Sequence, residues 1–261
     1  MLALAAGAAS PAPVAAQDDD GCVRCHGELE LLRQHVSTLG EARALLALEA
    51  DVERSAHTGM SCLECHGGFG EFPHPEGAGR TESCASCHEE QEALWLEGSH
   101  AAEDGAACSD CHGVHDTRTL EELRDTSGVR AMRETCGDCH EEPAIPVDDP
   151  HADSASCAGC HAPHGTRPYE DPEAWIHPTN QLATCGACHE EVAEEWTDDA
   201  HHEAVATLVK PGAEALPGAT RAEPPDCSSC HGAHGMQGPS DLGFHLEMVQ
   251  ECSACHEDYA E

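Results

Sequence analysis

The chain has 261 residues with 50 acids against 12 bases, a formal net charge of −38, 3% aromatic residues, 18 cysteines and 21 histidines. That charge excludes nucleic acid, whose binding needs positive charge, and disfavours anionic membrane surfaces; an acid-rich shell confers solubility and steers basic partners. With so few large side chains, a conventional apolar core cannot offset the entropy of ordering a chain of this length, so something else must supply the interior.

Leu2-Ala3-Leu4-Ala5-Ala6-Gly7-Ala8-Ala9 is a short apolar run, and Val14-Ala15-Ala16 offers a small-residue cleavage site. Residues 1–16 therefore read as a secretory signal peptide, with the mature chain starting at Gln17. No later stretch is long and apolar enough to span a bilayer. The expectation is an exported protein, periplasmic or extracellular, without a membrane span. Segment 17–56 follows. In it Leu29, Leu32, Val36 and Leu39, then Ala42, Leu45, Leu48 and Val52, recur at roughly helical spacing, which predicts one or two helices broken near Gly40.

Every cysteine falls in a Cys-x-x-Cys-His pentapeptide. The nine are Cys22–His26 (with Cys25), Cys62–His66 (Cys65), Cys84–His88 (Cys87), Cys108–His112 (Cys111) and Cys136–His140 (Cys139), then Cys157–His161 (Cys160), Cys185–His189 (Cys188), Cys227–His231 (Cys230) and Cys252–His256 (Cys255). This is the attachment sequence of a c-type haem. Two thiols three positions apart lie on one face of a helical turn, where they form thioethers to the two haem vinyl groups, and the following histidine points at the iron. A disulfide framework gives no reason for that histidine. Paired zinc sites leave one of nine units over, and a thioredoxin-like motif occurs once beside a βαβ unit. At one histidine in about twelve residues, nine coincidences have a probability on the order of one in ten billion, so the haem motif stands.

The motifs repeat in pairs, each pair led by a histidine. The single-haem segment 17–56 precedes two-haem units at 57–99, 100–150, 151–200 and 201–261, the last with an inserted Pro/Gly-rich surface loop at 210–225. His57, His100, His151 and His201 lead the units, and Trp95 and Trp196 each stand five residues before the lead histidine that follows them. His115, His164 and His234 stand three residues after a motif histidine; His74 is their displaced counterpart, Gly68 and Phe69 standing where the near histidine belongs. These eight are the candidate distal iron ligands. His35 is the ninth choice on spacing, with His177 and His245 competing. A near histidine cannot reach the other face of its own haem and is expected to serve a neighbour. The few methionines do not recur in register, so two imidazoles per iron are expected, favouring low potentials relative to Met/His ligation.

The paired motifs, the Cys-x-x-Cys-His-x-x-His variants and the Trp-x₄-His leads resemble the doubled-CXXCH multihaem cytochromes c over essentially the whole mature chain. The resemblance implies nine covalent haems c, close haem stacking and electron transfer. Its partners would be other redox proteins: cytochromes, quinol-linked reductases or terminal reductases. The fold expected is mostly irregular, with short α-helices around the motifs, few or no strands and haem as the packing material. An electron carrier, not an enzyme, is the leading expectation, and no catalytic residue is assigned. A multihaem oxidoreductase for small nitrogen or sulfur oxyanions is the enzymatic alternative. It is disfavoured by the charge, by the absence of a Lys-ligated motif variant, and by having only Tyr169 and Tyr259. A subunit of an extracellular cytochrome filament is the third reading, with 17–56 free to dock on a second subunit.

Overall fold

The computed structural model describes residues 14–15, 19–74, 80–81, 83–124, 126–140, 145–146, 148–216, 219, 222–238 and 240–256. Most of the expected signal segment, Tyr259 and part of the 210–225 loop lie outside them; the described part of that loop has no helix or strand. Two compact units divide the chain, one of 1–89 with 112–119 and one of 90–111 with 120–261.

The first unit contains α1 (Asp19–His26), α2 (Leu29–Leu32), α3 (Leu39–Ala44), α4 (Glu49–Arg54) and α5 (Cys62–Cys65). It also holds four two-residue strands, β1 (Val14–Ala15), β2 (His66–Gly67), β3 (Glu71–Phe72) and β4 (Arg80–Thr81). β1 pairs antiparallel with β3, Val14 opposite Phe72, and β2 with β4, His66 opposite Thr81. The remaining helices are α6 (Glu89–Glu97), α7 (Cys108–His112), α8 (Leu120–Arg124), α9 (Thr126–Gly137), α10 (Cys157–Cys160) and α11 (Gln181–Gly186). After them come α12 (Glu190–Thr197), α13 (Ala200–Leu208), α14 (Cys227–His231) and α15 (Leu242–Cys255). The fold is thus short helices and very little strand, as the composition led one to expect.

Segment 29–54 departs from its expected break. Gly40 lies inside α3, and the interruptions fall on either side of that helix. Thr38 explains the shift. Its hydroxyl accepts the Glu41 amide at 3.1 Å while the Glu41 carboxylate accepts the Thr38 amide at 3.0 Å. A reciprocal capping box starts a helix strongly enough to override the roughly 1 kcal/mol that glycine costs within it.

Among the described residues the buried apolar side chains are few: Leu32, Ala42, Val129, Ala152, Ala174, Val205 and Leu208. Polypeptide alone does not close this interior. Leu242, Leu246 and Val249 on α15, Leu63 within the second motif and Val114 beside His115 are all exposed, and such surface beside the motifs suits a large apolar cofactor.

Polar ties take over part of the organising role. Arg133 on α9 donates to the carbonyls of His151 and Ala155 at 2.8 and 3.0 Å. Gln181 on α11 donates to Ser228 Oγ and accepts the Ser228 amide on α14, each at 2.9 Å. Asp149, buried, accepts amides from His151 at 2.7 Å, Met236 at 2.8 Å and Gly235 at 3.0 Å. Burial by itself raises the Asp149 carboxyl, but those amides and the His151 ring outweigh it and hold it below the ordinary carboxylate range.

Asp149→Ala removes three charge-assisted bonds and is expected to destabilise the haem-loaded protein by about 2–3 kcal/mol in denaturant unfolding; Asp149→Asn should cost less. Because the folded value is depressed, the Asp149 contribution is complete above the unfolded carboxyl value of about 4 and is lost as pH falls below it. The gap between wild type and Asp149→Ala should therefore narrow in acid, and a constant gap from neutral to acid pH contradicts this role.

Candidate cofactor sites

Each motif occupies or closes a helical turn. The amides of His88, His140, His161, His189 and His256 donate to the carbonyls of Cys84, Cys136, Cys157, Cys185 and Cys252, four residues back, at 2.8–3.0 Å. One turn closed this way carries both thiols and the imidazole on one side. Acidic residues fix the turn starts. Glu64 within the second motif accepts the Ser61 amide at 2.6 Å, and Asp110 within the fourth accepts the Ala107 amide at 2.7 Å. Asp226, before the eighth motif, accepts the Ser229 amide at 2.7 Å and the Tyr169 hydroxyl at 2.8 Å.

In the second unit the motif-bearing helices pack in chain order, α9 on α10, α10 on α11, α11 on α14 and α14 on α15. Thiols of successive motifs meet accordingly, Cys136 hydrogen-bonding Cys157 and Cys185 hydrogen-bonding Cys227. In each pair that bond holds the later cysteine down and pushes the earlier one up. In the first unit Cys62 meets Cys22 and is pushed up to about 12 by burial and then by Asp19.

At least seven motif histidines face a histidine from elsewhere in the chain. The pairs are His26 with His74 (6.3 Å between ring centres), His66 with His115 (6.0 Å), His88 with His57 (6.0 Å) and His140 with His100 (6.1 Å). In the second unit His161 faces His234 (6.1 Å), His189 faces His151 (5.9 Å) and His256 faces His201 (6.1 Å). The distances span only 0.4 Å, from 5.9 to 6.3 Å, while the interplanar angles run from 18° to 87°. A preferred ring stacking fixes the angle. Ligation of one metal from both sides fixes the distance and leaves each ring free to turn about its bond. With metal–imidazole bonds of about 2 Å and about 1 Å from nitrogen to ring centre, two axial imidazoles put their centres about 6 Å apart. The residues fit a haem iron between them. Burial, then neighbouring histidines, pushes His66 and His161 down, favouring the neutral form that binds metal.

The pairs follow a rule. Each lead histidine faces the second motif of its own unit: His57 the third motif, His100 the fifth, His151 the seventh and His201 the ninth. The near histidines reach backwards, His74 to the first motif, His115 to the second and His234 to the sixth. His115 lies with 112–119 in the compact unit that contains His66, and the Ala56 amide ties this stretch to the lead-histidine segment by donating to the Thr117 carbonyl at 2.7 Å. Trp196 lies parallel to the His201 ring at 5.9 Å, and the Trp95 indole donates to the Ala106 carbonyl at 3.0 Å. His112 and His164 are each engaged.

The other candidates lie elsewhere. His35 stands edge-on to Phe72 at 5.2 Å. His177 is buried with its Nδ1 2.7 Å from the Thr179 hydroxyl. His202 Nδ1 is 3.1 Å from the Thr197 carbonyl. The His245 ring lies 5.7 Å from Phe244, whose own ring lies 5.8 Å from His231. Among the described residues no three His, Cys, Asp or Glu side chains converge on a single metal position. A zinc site needs four such donors; a haem iron needs two from the protein. Sequence reasoning missed Asp149, Gln181 and Arg133, which hold the motif segments together, and Phe244. Nothing marks Asp149 out among 50 acids.

Residues 184–257 match the family model described as cytochrome c554 and c-prime. The multiheme cytochrome MtrA of Shewanella baltica (strain OS185) is 25% identical over 137 residues, 46% of this chain and 37% of MtrA. The chain thus spans little more than a third of that relative's length. No solved structure matches, and no helix among the described residues is long and apolar enough to cross a membrane. Repeated attachment turns, imidazole pairs at iron-spanning distance and these similarities lead to one likeness: the chain is similar to the multihaem c-type cytochromes.

Proposed function

We propose that the chain is an exported nine-haem electron conduit, each Cys-x-x-Cys-His motif holding one covalent haem c and the paired histidines serving as axial ligands. The observation that carries this is the narrow distance between imidazole rings across seven motifs. Each bound haem supplies a reversible Fe(III)/Fe(II) couple. The chain's own contribution is order. Helices that pack in chain order set the attachment points of the fifth to ninth motifs side by side, so electrons have a path that follows the sequence. Near histidines that reach back over another motif lock successive units together, and a rigid spacing keeps the transfer distances fixed. Two imidazoles per iron hold potentials low and close both faces of the iron to substrate.

The net charge of −38 favours docking of basic faces on partner redox proteins and should make those encounters sensitive to salt. The N-terminal Ala-rich run supports export. Both belong to the proposal, as does the count of nine.

The intact mass of the mature protein should exceed that of the polypeptide from Gln17 by nine haems, with no free thiol. Fewer haems with reactive cysteines left over would refute the count. Replacing His234 by Met should leave that mass excess unchanged and raise the potential of one centre by on the order of a few hundred millivolts, within the ~0.8 V that axial ligands span. Spectroelectrochemical titration reads this directly, and a titration curve superimposable on wild type removes His234 from the ligand set.

A further inference from the structure

We infer that Arg133 is the internal counter-charge of a haem propionate, its buried Nε–H donating to the propionate carboxylate. The inference rests on the haem reading above. Its ground is an orphaned atom: among the described residues, Arg133 Nε is the one buried side-chain nitrogen or oxygen without a hydrogen-bond partner. Nη2 of the same guanidinium is already engaged, donating to the carbonyls of His151 and Ala155 at 2.8 and 3.0 Å. Those two bonds hold the group in place and leave Nε without an acceptor. A guanidinium stays charged at any working pH, and a charge taken out of water is costly unless it is paired.

Among the described residues no acid of the chain does the pairing. Arg33, Arg54, Arg130 and Arg167 each bind a carboxylate at 2.7–3.0 Å, as expected where 50 acids outnumber 12 bases. Arg133 binds only backbone. Its surroundings are haem sites instead. On α9 it stands one turn before Cys136 of the fifth motif. Ala155 stands two residues before Cys157 of the sixth, and His151 faces His189 of the seventh. The Cys157 thiol, held down first by its hydrogen bond with Cys136, is held down further by the Arg133 charge. Haem loading brings the missing group to this place: each porphyrin carries a pair of propionates, and a carboxylate is the acceptor to which a guanidinium N–H bonds most strongly. A bare propionate favours Fe(III) over Fe(II). By cancelling that charge Arg133 keeps the potential of its haem up.

The test uses the haem-loaded protein with its propionate carboxyls labelled with carbon-13. Infrared difference spectra between oxidised and reduced protein then separate propionates from Asp and Glu carboxylates. Arg133→Gln should move one labelled carboxylate band and lower the potential of one centre. Its Fe(III)/Fe(II) ratio at a fixed potential should change about tenfold, the size expected for one charge about 10 Å away at an effective dielectric of about 20; for a one-electron couple that is about 59 mV. Arg133→Lys keeps the charge, and so should hold the potential near wild type. It should still move the labelled band, because an ammonium does not reproduce the planar guanidinium, and it decides the question alone if the glutamine variant loads haem poorly. Labelled bands unmoved by either substitution overturn the inference, whatever happens to stability, since Arg133 then only ties backbone segments together. A shift confined to unlabelled carboxylates overturns it as well, because an acid of the chain then holds Nε. Both results leave the intact mass at nine haems; fewer haems strike at the proposed function instead.

Discussion

Two imidazole rings held about 6 Å apart, at nearly one distance and at any angle, are the constraint from which the rest of this molecule follows. A contact between rings alone would favour particular angles and would be a weak organiser of a chain with 3% aromatic residues. The proposed iron between the rings would turn each pair into a crosslink between segments remote in sequence: His66 with His115, His161 with His234, His140 with His100. Such crosslinks, with the covalent attachment proposed at the motifs, would explain how a chain with seven buried apolar residues among those described keeps a defined fold. They also explain why its helices are short. A helix here needs only to close one motif turn or bring one histidine to its partner, and capping by Thr38, Asp226 or the acid inside a motif suffices for that.

The hydrogen bonds from Asp149, Arg133 and Gln181 belong to the same logic. Each ties a motif segment or a paired histidine to another motif segment. Asp149 is placed to fix two such histidines together, since it accepts the amide of His151 and the amides of Gly235 and Met236 that follow His234. In a chain this acidic a carboxylate is costly to bury unless it is saturated with donors. Asp149 and Asp226 are both saturated, which reconciles their burial with their charge.

What could be read in the sequence was whatever repeats in register. The motifs, the lead histidines, the near histidines and the scarcity of strand are all periodic or compositional. The pairing rule was not legible, because the near histidines reach back to motifs at a distance no local period records; His234 meets His161 across the whole of the seventh motif. The displaced His74 shows the same limit: its place beside His26 depends on the bend through 67–73, which spacing does not record. Gly40 misled for a different reason, since a capping box spanning Thr38 to Glu41 outweighed a single residue's propensity.

The two ends of the ligation rule differ, and the difference has a physical consequence. The backward-reaching histidines His74, His115 and His234 each face a motif histidine that precedes their own unit. At the first motif this works through His74. Beside the eighth motif packs α15, a helix whose phase is set by its own duties: it brings His256 to His201 at its far end. Fixing that end fixes which side chain meets His231 nearly three turns earlier, and the side chain in phase is Phe244. The geometry of the ninth motif thereby determines which side chain of α15 stands beside the eighth.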